Sequence, residues 1–149
     1  MKKVKKVELL LAICVCLALL TGCASTTQFV ELPDQSKRIE DPSKARIYVV
    51  RPTGFGAAIS MMVSDGNNVI GETGPNGFLC WEREPGQTEV VGKAENTSRL
   101  PINTESGNVY YVQQHIQLGL IKARNKLTLM TEEKGKASVN KCKPPKLRK

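Results

Sequence analysis

Few residues in this sequence have the types and spacing that catalysis or metal binding requires. His115 is the only histidine, and its alternating polar neighbours, Gln113 and Gln117, predict that it faces solvent from a strand. One histidine with widely spaced cysteines lacks the close ligand pairs of a zinc site, and no serine lies in a nucleophile elbow. Two carboxylates could act together in hydrolysis, but the spacing of the acidic residues selects no pair. We therefore predict no catalytic residue, no metal and no cofactor.

The N-terminal residues 1–22 have the form of an export signal. Lysines follow Met1, an apolar run covers residues 9–20, and small residues come next, which is the three-part pattern of a secretory signal. The apolar run is shorter than the roughly 20 residues that a membrane-spanning helix needs. We therefore expect residues 1–22 to be removed on export rather than retained as a membrane span.

The segment before Cys23 reads Leu20, Thr21, Gly22, and it resembles the lipobox of bacterial lipoproteins. The resemblance implies that the signal peptidase recognises Leu20, Thr21 and Gly22 and cuts before Cys23. It also implies that diacylglycerol is attached to the Cys23 thiol and that the new amine is acylated, which would hold the mature chain stably at a membrane. Ala24 is not the aspartate that retains enterobacterial lipoproteins at the inner membrane. By that rule we expect a location in the cell envelope, on the periplasmic side of the outer membrane.

The remaining cysteines fall into two groups. Cys14 and Cys16 lie inside the apolar run after bulky residues, so they fit the peptidase less well than Cys23 does. Cys80 and Cys142 form an even pair in the mature chain, and an exported protein with such a pair favours a disulfide. Closing so long a loop would stabilise the fold by at most about 4 kcal/mol. The alternative is a buried thiol at Cys80 and a mobile one at Cys142.

The positive charge is concentrated at the C-terminal end. The chain has a formal net charge of +8, and no acidic residue follows Glu133, whereas seven basic residues do: Lys134, Lys136, Lys141, Lys143, Lys146, Arg148 and Lys149. We expect residues 135–149 to form a solvated basic tail. Anionic glycans or lipid head groups are possible partners. Nucleic acid is not, because the chain is expected outside the cytoplasm and no aromatic residues interleave with the lysines.

The central part of the chain predicts an all-β domain. Polar residues 23–43 show no periodicity and indicate a flexible tether, and residues 44–134 contain short β-branched or alternating runs separated by turn signals such as Asp65-Gly66. This pattern favours an antiparallel β-sandwich of seven or eight strands with one short helix near the C-terminus. The predicted strands cover residues 46–51, 59–63, 69–72, 78–82, 88–94, 99–103, 109–118 and 126–131, and the helix covers 131–139.

Five short motifs resemble a known bacterial lipoprotein family. They are ARIYVVRP at 45–52, VSDG at 63–66, VIG at 69–71, EPG at 84–86 and GNVYYV at 107–112. In this order and spacing they resemble the family catalogued as domain of unknown function 2846, over about residues 44–134. The resemblance implies a compact β-sandwich on a lipoprotein anchor and assigns no activity.

These observations predict an envelope lipoprotein that acts by binding or scaffolding and not as an enzyme. One alternative is a periplasmic hydrolase that uses carboxylates, which would require a pocket with two acids of shifted pKa. Another is a binder of glycans or lipid head groups that uses the basic tail and Trp81, the only tryptophan. An exposed aromatic side chain beside a basic patch would favour this last alternative. The expected partners are the membrane, through Cys23, and an envelope protein or an anionic glycan.

Overall fold

The computed structural model describes residues 24–121 and 123–148. The predicted peptidase recognition residues Leu20, Thr21 and Gly22 and the predicted lipidation site Cys23 lie outside the described residues. Within the described ranges the chain forms ten strands and one helix. None of the helical structure in those ranges is long and apolar enough to cross a bilayer.

The strands are short and separated by tight turns, as the turn signals predict. The eight predicted strands and the helix are confirmed with boundaries shifted by a few residues, and two short strands are added at the ends. The strands are β1 (Thr27–Gln28), β2 (Ala45–Arg51), β3 (Met61–Asp65), β4 (Asn68–Thr73), β5 (Gly77–Arg83), β6 (Gly86–Lys93), β7 (Thr97–Thr104), β8 (Val109–Leu118), β9 (Ala123–Met130) and β10 (Lys146–Leu147), and the helix α1 is Glu132–Asn140.

The strands form two sheets that pack face to face. The six-stranded sheet has the order β10-β1-β4-β3-β6-β7, and the four-stranded sheet has the order β5-β2-β8-β9. The predicted sandwich is confirmed, and most neighbours are antiparallel, but β2 pairs with β8 and β1 pairs with β10 in parallel. Parallel neighbours need a long crossover connection. The chain between β2 and β8 provides one, because it contains β3, β4, β6 and β7 of the other sheet.

Strand β2 is the centre of the fold because both of its faces are covered. Ile47 and Val49 belong to the cluster between the sheets, whereas Tyr48 and Val50 belong to a second cluster on the outer face, as the alternation of a strand requires. The cluster between the sheets also contains Val63, Ile70, Leu79, Trp81, Val90, Ile102, Val112 and Leu127. Burying one such side chain contributes about 1.5–3 kcal/mol, so this cluster is the main source of stability.

Helix α1 covers the outer cluster. Thr131 caps the helix, and its side chain accepts a hydrogen bond from the backbone N–H of Lys134. The helix contacts β8 at Gly135, where a Cβ atom would lie 2.1 Å from Cγ of Tyr111. Tyr111 in turn stacks on Tyr48 with ring centroids 5.2 Å apart. Gly135 lowers the intrinsic helix propensity, but the close contact with Tyr111 requires a glycine.

The structure corrects the two flexible segments that the sequence predicts. Residues 24–43, expected to be a tether, include β1, and residues 135–148 of the expected basic tail include most of α1 and β10. Gln28 is fully buried; its amide nitrogen donates to the carbonyl of Cys80 at 2.7 Å, and its amide oxygen accepts from the Cys80 N–H at 3.0 Å. Polarity suggested disorder, but hydrogen bonds, together with apolar contacts of Val30, Leu32 and Val139 with the two clusters, hold these segments in place.

Candidate functional site

A cavity of about 620 Å³ opens at the end of the sandwich that carries the turn between β3 and β4. We call it the acidic groove. It lies between the edge of the sheets and residues 30–44, which cross that edge. Its charged lining consists of Glu31, Glu40, Asp41, Asp65 and Glu82 with Lys44 and Arg83, and its apolar lining consists of Val30, Pro33, Val69, Ile70 and Trp81. A concave surface with apolar walls and a few placed charges is typical of a binding site.

Asp65 forms the floor of the acidic groove. One of its oxygens accepts hydrogen bonds from Nε1 of Trp81 and from Nε of Arg83, both at 2.9 Å, and the other accepts from Oγ1 of Thr88. Arg83 continues to Oγ1 of Thr104 at 2.8 Å. Asp65 ends β3 just before the Gly66 turn, so the hairpin itself places the carboxylate there. Because both oxygens of Asp65 accept hydrogen bonds from side chains of the protein, this carboxylate holds the groove floor together.

A second buried ion pair forms the wall of the groove. Nε and Nη2 of Arg46 donate to Oε1 of Glu82 at 2.9 and 2.7 Å, across the antiparallel pair of β2 and β5. Nη1 of Arg46 also donates to the carbonyl of Lys37 at 2.8 Å. Glu82 accepts hydrogen bonds from the backbone N–H groups of Glu40 and Asp41 at 2.6 and 3.0 Å. The pair therefore fixes residues 34–41 over the sandwich. No local pattern in the sequence predicts this pairing.

The protonation of the groove carboxyls does not suit acid catalysis. Hydrogen bonds from the side chain and backbone of Ser43 lower the pKa of Asp41. Burial alone would raise the pKa of Glu82, but hydrogen bonds from the Glu40 and Asp41 amides and from Arg46 outweigh burial and lower it. A general acid in hydrolysis needs a carboxyl whose pKa is raised. The pKa values of these two carboxyls shift in the opposite direction, so neither is suited to donate a proton at neutral pH.

Trp81 packs in the cluster between the sheets and does not offer the exposed aromatic side chain that the alternative of a glycan or lipid-head-group binder requires. Trp81 is only 4% exposed, and its indole N–H is occupied by Asp65. The alternative in which Trp81 stacks on a glycan is therefore wrong. His115 is half-buried on β8 with Nε2 2.8 Å from Oγ1 of Thr128, and burial, with a contribution from Lys126, lowers its pKa. His115 and the acidic groove lie at opposite ends of the sandwich.

The predicted disulfide is not formed in the structure. Cys80 and Cys142 are free cysteines; Cys80 belongs to the outer cluster and Cys142 packs against it. Burial raises the pKa of each thiol to about 11, so both are protonated at neutral pH and are poor nucleophiles. Among the described residues, no group of three or more histidine, cysteine, aspartate or glutamate side chains could hold a metal ion.

Fold and site together define a β-sandwich domain with an acid-lined groove built on buried arginine–carboxylate pairs. The chain belongs to the family described as Protein of unknown function (DUF2846), whose profile matches residues 41–126. The matched segment contains both pairs, Arg46–Glu82 and Asp65–Arg83. A protein from Haemophilus influenzae (strain ATCC 51907 / DSM 11121 / KW20 / Rd), named "Uncharacterized protein", is 28% identical over 127 residues, which cover 83% of this chain and 76% of the relative.

Proposed function

We propose that this protein is a lipid-anchored lipoprotein of the bacterial cell envelope and that its β-domain acts by binding, not by catalysis. The anchor is supported by Cys23 after Leu20, Thr21 and Gly22 at the end of an export-signal pattern. Binding is supported by the acidic groove, whose buried carboxylates are already engaged by arginines. The engagement of these carboxylates by arginine side chains is the observation that favours binding over catalysis.

The charge of the groove favours a partner that carries cationic groups. Glu31 and Glu40 are exposed at its rim, whereas Asp41 and Lys44 lie within 3.9 Å of one another and largely neutralise each other. An envelope protein segment with lysine or arginine side chains is complementary to this rim, and an anionic glycan is not. The partner we propose is therefore an envelope protein with a basic segment.

Lipidation is tested by replacing the predicted acceptor. We expect the Cys23→Ser variant to take up no alkyne-labelled fatty acid and to accumulate as the unprocessed precursor. Cys14→Ser and Cys16→Ser are matched controls that should be processed and labelled normally. A Cys23→Ser protein of mature size that still takes up the label would refute the anchor.

Binding is tested by photo-crosslinking in living cells. A photoreactive residue at Val69, exposed in the groove, should give a crosslinked adduct, and the same residue at Leu129, exposed on β9, should not. Charge reversal by Glu31→Lys should reduce the adduct while leaving the fold intact, because that side chain is exposed; Glu40 is left unchanged, since its carboxylate accepts the Asp34 N–H at 2.9 Å. An adduct that charge reversal does not reduce, or that forms equally at Leu129, would contradict the assignment of the groove.

A further inference from the structure

Several strand ends and loops lie together at the end of the sandwich opposite the acidic groove. Strands β2 and β8 run parallel and finish there, and β5 begins there because Arg51 pairs with Gly77. We call it the anchor end. It contains the first described residue, Ala24, the loop of residues 52–60, and the turn between β8 and β9. The turn between β6 and β7, which carries Glu95, lies at the same end because Lys93 pairs with Met62 at the start of β3.

The chain that follows Cys23 is fixed to the anchor end without slack. The N–H of Ala24 donates to the carbonyl of Ala57 at 2.8 Å. Gly74 and Gly77 allow this segment to lie close, since a Cβ at Gly74 would be 2.6 Å from the Ala24 carbonyl oxygen. Consecutive Cα atoms are about 3.8 Å apart, so the lipid that we propose on Cys23 would be attached one residue from Ala24.

Large apolar side chains are exposed at the same end. Leu118, at the end of β8, is 84% exposed, and Leu120 and Ile121, in the turn between β8 and β9, are 96% and 91% exposed. Phe55, in the loop of residues 52–60, is 57% exposed. The loop of residues 52–60 packs against the last part of β8, because a Cβ at Gly56 would lie 2.3 Å from Cδ1 of Ile116. Soluble surfaces rarely expose such a group of large apolar side chains without a binding role.

Buried or charged side chains hold the backbone of both apolar loops. The carboxylate of Glu95 accepts the N–H groups of Leu120 and Ile121 at 3.2 and 3.1 Å. The fully buried guanidinium of Arg51 donates to the carbonyls of Phe55 at 3.0 Å and of Gly56 at 2.8 Å. These four backbone groups are thus satisfied within the protein, while the side chains of Leu120, Ile121 and Phe55 are exposed. Such loops suit an apolar medium, because a backbone N–H or C=O group without a hydrogen-bond partner costs several kcal/mol there.

Basic side chains lie at the anchor end. A cavity of about 450 Å³ beside Ala24 is lined by Lys143 and Lys146, and no acidic residue appears in its described lining. On β9, Arg124 is exposed one residue behind the apolar turn. The Glu95 carboxylate is also at this end, where the N–H groups of Leu120 and Ile121 engage it. Basic side chains flanking exposed apolar ones are typical of surfaces that bind anionic membranes.

We propose that the anchor end lies in the membrane interface, with Leu120, Ile121 and Phe55 inserted at the boundary of the acyl chains and Lys143 and Lys146 on anionic phospholipid head groups. The inference rests on the proposed anchor at Cys23 and adds the orientation of the domain. The acidic groove then faces away from the membrane into the periplasm. The occupant of the apolar surface is the bilayer that the anchor itself requires.

The test uses the mature, lipidated chain in vesicles of phosphatidylcholine and phosphatidylglycerol. An environment-sensitive fluorescent amino acid replaces Leu120 in one variant and Val69 in a second, matched variant at the opposite end. We expect brominated lipids to quench the fluorophore at position 120 and not the one at 69. Lys143→Glu with Lys146→Glu should reduce the quenching at position 120 while the protein still floats with the vesicles.

Flotation separates this inference from the proposed anchor. Protein that floats with vesicles but shows no quenching at position 120, or equal quenching at 69, overturns the orientation and leaves the anchor in place. Protein that carries no lipid and does not float refutes the anchor. If Leu120 is covered instead by a second protein, the fluorophore emission shifts to the blue without quenching by brominated lipids, which also overturns the inference.

Discussion

Glu82→Gln tests whether the buried pair with Arg46 holds the groove wall in place. The substitution keeps the shape of the side chain and removes its charge, so the Arg46 guanidinium, which is fully buried, loses its carboxylate partner. The same substitution weakens the acceptor for the N–H groups of Glu40 and Asp41. Both effects destabilise the native state.

The expected magnitude follows from burial. Breaking a buried ion pair by removing one partner costs about 3–5 kcal/mol, because the remaining charge stays buried. Glu89→Gln is the matched control: Arg99 and Glu89 are 2.6 Å apart, close to the 2.7 Å of Arg46 and Glu82, but their side chains are 59% and 39% exposed. An exposed pair contributes about 0.2–1 kcal/mol. The two ion pairs therefore differ more in burial than in the distance between their charged atoms.

Urea denaturation measures the difference in the free energy of unfolding. With a slope of about 1.5 kcal/mol per molar urea, typical for a small domain, Glu82→Gln should lower the midpoint by about 2–3 M, and Glu89→Gln by less than about 0.7 M. Hydrogen exchange at the Glu40 and Asp41 amides should also accelerate in Glu82→Gln alone. Equal midpoint shifts for the two variants would refute the argument from burial.

Three further predictions concern pH, the thiols and the packing beside Ala24. The pKa of Glu82 is lower in the folded protein than its ordinary value of about 4.3. The stabilising contribution of Glu82 is therefore present above the ordinary pKa and is lost as pH falls through the folded value. The difference in melting temperature between wild type and Glu82→Gln should be constant at neutral pH and shrink below about pH 4. Burial raises the pKa of the Cys80 and Cys142 thiols to about 11. A thiol reagent at pH 8 should therefore modify neither thiol in the native mature protein. After unfolding in the absence of reductant, it should modify both thiols. A Cβ at Gly77 would lie 1.8 Å from Oγ1 of the buried Thr26, so Gly77→Ala should lower the free energy of unfolding by about 1–3 kcal/mol and speed proteolysis near residue 26.

Each of the three has an outcome that contradicts it. A constant difference in melting temperature down to pH 3 would show that Glu82 has no lowered pKa. Thiols that react only after reduction would show that Cys80 and Cys142 are bridged. For Gly77→Ala the control is Gly54→Ala, where the atom nearest the added Cβ, Nδ2 of Asn76, lies at an ordinary contact distance of 3.5 Å. Equal losses of stability for the two alanine variants would show that the contact with Thr26 is not the cause.

The strands could be predicted because their signals are local. Asp65-Gly66 marks the turn between β3 and β4, and the run at 109–118 matches β8 (Val109–Leu118). Alternation of apolar residues within a strand reports which face is buried, and turn residues report where a strand ends. These properties depend on neighbours in the sequence, so the existence and approximate boundaries of eight strands follow from the sequence.

The groove and the ordered ends could not be predicted because they depend on contacts between distant residues. Arg46 and Glu82 meet only through the register of β2 and β5, and Gln28 is buried because it hydrogen-bonds the Cys80 backbone. The parallel pairing of β2 with β8 also depends on the topology of the fold, and the periodicity of a sequence carries no information about topology. A polar segment that is fixed by hydrogen bonds has the same composition as one that is solvated.

The position of β1 between β4 and β10 has a consequence for the order of folding. Thr27 pairs with Lys146, so this contact closes a loop of nearly the whole chain. The entropic cost of closure increases with loop length, and such distant contacts form after local hairpins. We therefore expect the pairing of β1 with β10 to form after the local hairpins. In the lipoprotein that we propose, this order would leave the N-terminal segment accessible to the processing and acylating enzymes until the C-terminal residues have left the export channel.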